Sequence, residues 1–253
     1  MNPPRRHDLD ASGPAELLAA KALLRDEVWN AMSKKGIARF PAPVNRIPNF
    51  VGAEAAAARL AETDAWQLAH TIKSNPDSPQ LPVRVRALRD GKLLYMAVPR
   101  LAEADPFFVL DPAQLADPPR KAASIKGAGR SARTVALEQM EPVDLVVTGC
   151  VAVGEDGARL GKGGGFSDLE FALAAAAGLV DARTIVATTV HDVQVQPAGA
   201  IPTTAHDIRV DLIVTPGRTI RTTRGRRRVP KLDWCELSEE KIAAIPLLAR
   251  LRA

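Results

Sequence analysis

The sequence predicts a three-layer α/β/α domain with a mostly parallel central sheet. Segments rich in β-branched residues alternate with segments that have helical periodicity, which is the order expected of α/β units. Residues 143–153 form a continuous apolar run, as expected for a strand that is covered on both faces. A glycine-rich stretch then connects this run to an alanine-rich helical segment.

The N-terminal half is predicted to contain two helices and two strands. Residues 1–14 are polar and rich in proline, so we expect them to be disordered. Apolar residues recur at helical spacing over 15–33, which predicts the first helix. A loop over 40–50 precedes an alanine-rich helix over 52–62. The other elements predicted for this half are strands over 66–73 and 93–98 and a segment over 82–89 that fits either a helix or a strand.

The C-terminal half contains the clearest strand, over 143–153, followed by a helix over 167–177. Ser167 is the predicted N-cap of this helix and Gly178 its predicted stop. Residues 117–133 carry prolines, glycines and five cations, which predicts an exposed loop. The other elements predicted for this half are strands over 184–190 and 208–215, an edge strand over 218–222 and a final helix over 238–252.

Composition restricts the class of protein. The chain has 253 residues, of which 46% are hydrophobic, and a net charge of +5, which suits phosphate-bearing partners. The two cysteines do not make a disulfide framework or a zinc site. We find no secretory signal and no apolar run of about 20 residues, so we expect a cytoplasmic protein outside the membrane. The expected organisation is a disordered segment at 1–14, an α/β domain at 15–222, and a basic linker with a C-terminal helix at 223–253.

The glycine-rich stretch at 159–168, R-L-G-K-G-G-G-F-S-D, is the first candidate site. Glycine reaches positive φ and lets backbone N–H groups approach a ligand, and a helix N-terminus adds partial positive charge. Lys162 would add a full charge. The spacing matches neither G-x-x-x-x-G-K-[ST] nor G-x-G-x-x-G. From the pattern alone, a phosphate cradle and a flexible strand-to-helix turn both remain open.

Three blocks of the chain together resemble a known family. The stretch at 159–168 is similar to the R-L-G-x-G-G-G-[YF]-x-D signature of the 5-formyltetrahydrofolate cyclo-ligases, also called methenyltetrahydrofolate synthetases. Residues 21–25, K-A-L-L-R, resemble the N-terminal K-x-x-x-R block of that family. Residues 201–211, I-P-T-T-A-H-D-I-R-V-D, resemble its I-P-x-x-x-H-D-x-x-V-D block. The resemblance implies a Rossmann-like α/β/α fold.

The resemblance also implies a reaction and two cofactors, ATP and Mg²⁺. In this family the formyl oxygen of 5-formyltetrahydrofolate takes the γ-phosphoryl group of ATP. N10 then attacks the activated carbon, and phosphate leaves to give 5,10-methenyltetrahydrofolate. Such chemistry needs positioning and charge neutralisation more than it needs an enzyme nucleophile.

Site residues follow from the same resemblance. Asp168 and Asp207 would lie near Mg²⁺, which prefers oxygen ligands and takes one or two protein carboxylates. The implied substrate-binding residues are Phe50, Glu54, Phe166 and His206. The implied ATP-binding residues are Lys21, Arg25, Arg159, Gly161, Lys162, Gly163, Gly164, Gly165 and Phe166.

Each of these residues also has a structural interpretation. Lys21 and Arg25 are four residues apart on one helix face and would otherwise be solvated surface charges. Asp168 would otherwise cap its helix, and Asp207 and His206 would be turn or packing residues. His191 and Asp192 follow a predicted strand and are weaker site candidates, because ligands bind beyond the carboxyl ends of strands in α/β sheets.

The chain differs from the typical family pattern in the folate half. Typical members have G-Y-Y-D-R where this chain has G-F-S-D-L at 165–169, and their E-[IV]-x-T context is replaced by I-P-N-F-V-G-A-E at 47–54. These two motifs are more similar to those of the cyclo-ligase-like branch of the family, also called the methenyltetrahydrofolate synthetase domain-containing proteins.

Two alternatives to a folate cyclo-ligase therefore stay open. One is an ATP-using paralog with another small substrate, such as a thiamin-related compound. The other is RNA binding through Arg224, Arg226, Arg227 and Arg228. A solvated linker is favoured over RNA binding because no aromatic residue is interleaved for base stacking.

Overall fold

A mostly parallel sheet forms the centre of the protein in the computed structural model, which describes residues 13–204, 207–222, 229, 232 and 234–252. Its strands run in the order β11-β10-β8-β5-β1-β2-β3-β4, and β7, β6 and β9 form a second, smaller sheet. In chain order the strands are β1 (Thr71–Ser74), β2 (Leu93–Ala97), β3 (Phe107–Leu110), β4 (Arg133–Val135), β5 (Leu145–Val147), β6 (Ala152–Gly154), β7 (Arg159–Leu160), β8 (Ile185–Thr189), β9 (Val195–Gln196), β10 (Leu212–Val214) and β11 (Thr219–Arg221). The central strands β10, β8, β5, β1 and β2 are parallel, and the edge strands are antiparallel.

Helices cover both faces of the large sheet. In chain order they are α1 (Pro14–Lys34), α2 (Ala53–Ala61), α3 (Asp64–Gln67), α4 (Leu81–Arg89), α5 (Pro119–Ala122), α6 (Ile125–Ser131), α7 (Phe166–Ala176), α8 (Glu239–Ala244) and α9 (Pro246–Arg252). Successive residues of β5 enter different cores: Val146 packs with α7, α8 and α9, whereas Leu145 and Val147 pack with α2 and α4. This alternation confirms the predicted three-layer α/β class.

A third apolar cluster joins α1 to the smaller sheet. Val28, Trp29 and Met32 of α1 pack with Ala152 and Leu160 of that sheet. The first helix is thereby fixed beside the β6–β7 hairpin, which carries the glycine-rich stretch.

The prediction of one strand over 143–153 was wrong. The run contains β5 of the large sheet and β6 of the small sheet, and the chain changes sheets over residues 148–151. A Cβ at Gly149 would lie 2.7 Å from Gln80 Oε1 and 2.9 Å from Ile47 Cγ2, so glycine permits this close crossing. The run is mainly apolar along its whole length because β6 is also buried, against α1.

Local caps explain most of the other differences. The strand predicted over 66–73 begins only at Thr71, as β1, because α3 occupies the preceding residues. The Thr63 side chain caps α3 by accepting the N–H of Trp66. The predicted exposed loop over 117–133 contains α5 and α6, and Ser124 caps α6. Residues 82–89, left open between helix and strand, lie within α4.

Two predictions about helix ends were also wrong. Gly165, not Ser167, is the N-cap of α7, and it has a left-handed backbone. The single final helix over 238–252 is two helices, because Ile245 is extended and Pro246 begins α9. The predictions of helices over 15–33 and 52–62 and of an edge strand over 218–222 agree with α1, α2 and β11, and β11 pairs antiparallel with β10. The strand predicted over 208–215 is shorter in the structure, where only β10, Leu212–Val214, is a strand.

None of the described helices has the length and apolar character needed to span a bilayer.

A buried arginine supports the turn that follows β1. Arg84 is 1% exposed and donates from Nη1 to the carbonyl oxygens of Asn75 and Asp77 and from Nε to that of Ala123. Burial lowers the pKa of Arg84 to about 10, and Asp77 opposes this decrease. The guanidinium thus supplies a charged donor to three carbonyl groups.

Replacing this arginine should destabilise the fold. We expect Arg84→Leu to lower the free energy of unfolding by about 3 kcal/mol, because three carbonyl groups lose a charged donor. Arg86→Leu is the matched control: Arg86 lies on the same helix and pairs with Asp90 at the surface, so its loss should cost less than about 1 kcal/mol. Urea unfolding of both variants measures the difference, and equal midpoints would contradict this role for Arg84.

Candidate functional site

The site is built around the glycine loop, residues 161–165, which connects β7 to α7. Gly163 and Gly165 have φ angles of +108° and +65°, which residues with a side chain rarely adopt. No side chain caps α7. Within the described part of the chain, the N–H groups of Lys162, Gly163 and Gly164 donate to no protein acceptor. The loop and the helix end therefore present several free donors to an anion.

One cation of α1 lies against this loop, and a second pairs with a predicted metal-binding carboxylate. Arg25 donates from Nε to the carbonyl oxygen of Gly161 at 2.7 Å, and a Cβ at Gly163 would be 3.8 Å from the guanidinium carbon. Lys21 donates from Nζ to Oδ2 of Asp207 at 2.7 Å. Burial lowers the pKa of Arg25, an effect that Asp207 and Asp26 oppose. The structure thus brings Arg25 to the predicted loop and Lys21 to Asp207.

A buried arginine fixes the next segment against the start of α7. Arg159 is 4% exposed and donates from Nη2 to Oδ1 of Asp168, which also accepts the N–H of Ile208 at 3.0 Å. Asp207 accepts the N–H of Thr204 at 2.7 Å. Burial opposes the charge of Arg159, but attraction by Asp168, with a smaller contribution from Asp207, outweighs it and raises the pKa of Arg159. The two predicted metal-binding carboxylates therefore lie beside one buried cation.

These carboxylates retain free oxygens that suit magnesium. Among the residues that the structure describes, Asp168 Oδ2 and Asp207 Oδ1 have no hydrogen-bond partner. Magnesium commonly takes one or two protein carboxylates and completes its shell with water and phosphate oxygens. No cluster of three or more His, Cys, Asp or Glu in the described ranges is arranged for a metal. The pair therefore fits an ion that is shared with a phosphate ligand.

Two further lysines hold the loop from other directions. Lys162 donates from Nζ to Oδ1 of Asp77 at 2.9 Å. Lys241 of α8 donates from Nζ to the carbonyl oxygen of Gly164 at 3.2 Å, and its ammonium lies 5.4 Å from the centre of the Phe166 ring. The loop is therefore contacted by helices from both ends of the described chain.

A cavity of about 720 Å³ opens beside the glycine loop. Its volume lies in the range of sites for small organic ligands. Lys162, Gly164 and Phe166 belong to its wall, so the cavity and the loop share residues. The rest of the wall comes from the segments at 41–47, 75–78 and 98–100, from Ile125, and from Ser167 and Glu170 of α7.

Buried polar side chains face this cavity. Glu170 and Asn75 are 4% and 3% exposed, and Lys73 pairs with Glu170 through Nζ and Oε2. Asn75 donates from Nδ2 to Ser167 Oγ at 2.9 Å, whereas its Oδ1 has no hydrogen-bond partner in the described structure. A buried acceptor without a donor is unfavourable in the protein alone. The wall of the cavity therefore contains a buried acceptor that no donor in the described structure satisfies.

Backbone strain marks the same cavity. Asn45 and Arg100, both in its wall, have φ angles of +59° and +61°. Left-handed backbone is unfavourable for residues other than glycine and is found often at ligand sites. Arg100 and Arg46 also place two cations in the wall.

Other predicted residues lie outside this arrangement. Phe50 is buried with α1 and contacts His191 edge to face, with ring centres 6.3 Å apart. Glu54 is exposed on α2, and neither Phe50 nor Glu54 lines the cavity. His191 caps a short 3₁₀ turn through its ring, and Asp192 pairs with Arg218 at 3.0 Å.

His206 and the arginines at 224, 226, 227 and 228 lie outside the described residues.

Sequence reasoning missed four residues at this site. Asn75 and Asp77 lie directly after β1, and a polar segment at the end of a strand was the available signal. Glu170 of α7 pairs with Lys73 of β1, a contact that only the fold creates. Lys241 is 77 residues from Gly164, and nothing in its local sequence indicated this contact.

Comparison with known proteins places this geometry in a family. A model of the 5-formyltetrahydrofolate cyclo-ligase family matches residues 15–216. The methenyltetrahydrofolate synthase domain-containing protein of Mus musculus is 41% identical over 236 residues, which are 92% of this chain and 63% of that protein. The Homo sapiens protein of that name is 37% identical over 243 residues, 95% of this chain and 63% of its own length. The chain therefore spans about three fifths of these relatives.

A solved structure supports the fold. The NMR structure of Aquifex aeolicus 5,10-methenyltetrahydrofolate synthetase matches with a TM-score of 0.53 at 19% identity, over 82% of this chain and 95% of that one. At this identity the likeness concerns the fold alone. Because the family model matches most of the chain, the resemblance seen in the three sequence blocks is confirmed, and the protein belongs to the 5-formyltetrahydrofolate cyclo-ligase family.

Proposed function

We propose that this protein is a Mg-ATP-dependent ligase that closes 5-formyltetrahydrofolate to 5,10-methenyltetrahydrofolate. One observation carries the proposal: a glycine loop with free N–H donors and surrounding cations shares Lys162, Gly164 and Phe166 with a cavity large enough for a small organic substrate. A phosphate donor on the loop and an acceptor in the cavity would then be adjacent.

The phosphate half of the site consists of the loop and its cations. The free N–H groups and the start of α7 would bind phosphate oxygens, and Arg25 and Lys162 would neutralise their charge. Asp168 and Asp207 would each give one oxygen to Mg²⁺. ATP supplies the phosphoryl group when bound, and the ion offsets its charge.

The folate half is assigned to the cavity. A pterin ring presents an amino group and ring N–H donors, which suit the carboxylate of Glu170 and the free Oδ1 of Asn75. The glutamate part of a folate carries carboxylates, which suit Arg46 and Arg100. The formyl group would then be held where cavity and loop meet.

Positioning and charge neutralisation account for the chemistry. Within the described residues, no Ser-His-Asp or Cys-His arrangement appears at the loop. The residues that do lie there hold phosphate, exclude water and orient the acceptor, which is what phosphoryl transfer requires of a protein. Ring closure by N10 then needs the folate held in a bent conformation, which a walled cavity favours.

A second candidate is the same ATP site acting on another small molecule, such as a thiamin-related compound. One observation favours it. Phe50 and Glu54, two of the residues that the resemblance implied for substrate binding, lie outside the cavity wall. The segment at 47–54, which contains both residues, also differs from the typical sequence motif of the family.

An activity assay separates the two candidates. Purified protein with Mg-ATP and 5-formyltetrahydrofolate should give methenyl absorbance that grows with time and stops when EDTA is added. Absorbance that stays flat while calorimetry records Mg-ATP binding would reject the folate reaction and favour the second candidate. Absence of nucleotide binding would reject both.

Removing the loop cation of α1 should weaken nucleotide binding. We expect Arg25→Gln to lower Mg-ATP affinity by about tenfold or more, because it removes a charge and the donor to Gly161. Lys34→Gln is the control, since it removes one exposed charge from the end of the same helix. Calorimetric titration measures both affinities, and an equal effect of the two changes would contradict a specific role for Arg25.

A methyl group on the loop should have the same consequence. Gly163→Ala would force alanine to φ near +108°, which costs about 1–2 kcal/mol or makes the loop change shape. We expect Mg-ATP affinity to fall at least about fivefold. Gly129→Ala is the matched control, because its Cβ would meet nothing within 4 Å and it lies within α6, where alanine is favourable. Unchanged binding by Gly163→Ala would show that the loop conformation is not needed.

A further inference from the structure

The C-terminal helices are anchored beside the glycine loop by the core. Ile242, Ile245 and Leu248 of this part of the chain are buried in the same cluster as the apolar face of α7. Ser238 caps α8 by accepting the N–H of Lys241. The position of Lys241 is therefore fixed by buried contacts and a helix cap, and this segment lies outside the residues 15–216 that the family model matches.

The cations around the loop differ in what they contact. Three of them pair with carboxylates: Lys21 with Asp207, Arg159 with Asp168, and Lys162 with Asp77. Arg25 and Lys241, by contrast, contact loop carbonyl oxygens and pair with no carboxylate among the described residues. A carbonyl oxygen does not neutralise a cation, so two positive charges remain at the loop.

The ammonium of Lys241 lies next to the start of α7. It would be 3.3 Å from a Cβ at Gly165, the N-cap residue, and it lies near the Phe166 ring. Burial lowers the pKa of Lys241, and Asp168 opposes this decrease. An ammonium group has three donors, and in the described structure only one is used, on Gly164. Two donors are left for oxygens that approach the helix end.

We propose that Lys241 is a phosphate-binding residue of the nucleotide site, and that its free donors bind the polyphosphate of a nucleoside triphosphate on the glycine loop. The inference rests on the proposed function and extends it to the C-terminal helices. Those helices then form a wall of the site at Gly164, whereas Arg25 contacts the loop at Gly161.

A purely structural role for Lys241 predicts something different. If its only task were to hold the Gly164 carbonyl, its loss would disturb the loop for every ligand alike. A phosphate-binding role makes the effect grow with the number of phosphates, because the lost charge acts on them directly. The phosphate number of the ligand is therefore the deciding variable.

The experiment compares Lys241→Met with the wild-type full chain. Calorimetry with Mg²⁺ present measures affinity for ATP, ADP, inorganic tripolyphosphate and adenosine. We expect the variant to lose about tenfold in affinity for ATP and tripolyphosphate, less for ADP and nothing for adenosine. Lys241→Arg should restore most of the loss, since it keeps the charge.

Arg250→Met is the control, because Arg250 is a cation of α9 that pairs with Glu138 at the surface. It should bind every ligand like the wild type, and thermal melting should show that all variants are folded. Wild-type protein that binds ATP, together with Lys241→Met that binds it equally well, would overturn this inference and leave the proposed function standing. Equal losses for adenosine and ATP would also overturn it, in favour of the structural role. Wild-type protein that binds no triphosphate would overturn both.

Discussion

The site depends on how the carbonyl groups of the glycine loop are held. Arg25 binds the carbonyl of Gly161, and Lys241 binds that of Gly164. Among the described residues, the N–H groups of Lys162, Gly163 and Gly164 have no protein acceptor, so they stay available to an anion. The two ends of the described chain therefore meet at one loop, and the loop conformation is a tertiary property more than a local one.

The layered fold brings the two halves of the site to one edge. The cavity wall includes the segments that directly follow β1 and β2, at the carboxyl ends of neighbouring parallel strands. This is where α/β sheets bind ligands, because the chain leaves the sheet there and its polar groups are free. The β6–β7 hairpin of the small sheet, which lies between β5 and α7 in the chain, carries the loop to the same edge. Its burial against α1 keeps the basic face of that helix over the loop.

The sequence was most informative where local pattern and packing agree. The helix α1, the alternation of strands and helices, and the glycine loop with Lys21 and Arg25 were all predictable. The break between β5 and β6 was not, because both strands are buried and an apolar run does not report which sheet it enters. Lys241 was not predictable either, since its place depends on how α8 packs against α7. The polar residues of the cavity wall were not predictable for a similar reason. Asn75 follows β1 and Glu170 lies in α7, and the two become neighbours only when the chain folds.

The two halves of the site differ in the groups that form them, and therefore in how selective they are. The proposed phosphate half consists of backbone N–H groups and charges, which would act on any polyphosphate. The cavity half consists mainly of loop segments, at 41–47, 75–78 and 98–100, together with a buried pair, Lys73 and Glu170. Loops change at little cost to the core, whereas a buried ion pair is costly to break. A member of this family could therefore retain nucleotide chemistry while its loops select another acceptor, provided that the acceptor still satisfies Glu170 and Asn75. The identity of the second substrate is thus decided by the cavity wall, and the glycine loop does not determine it.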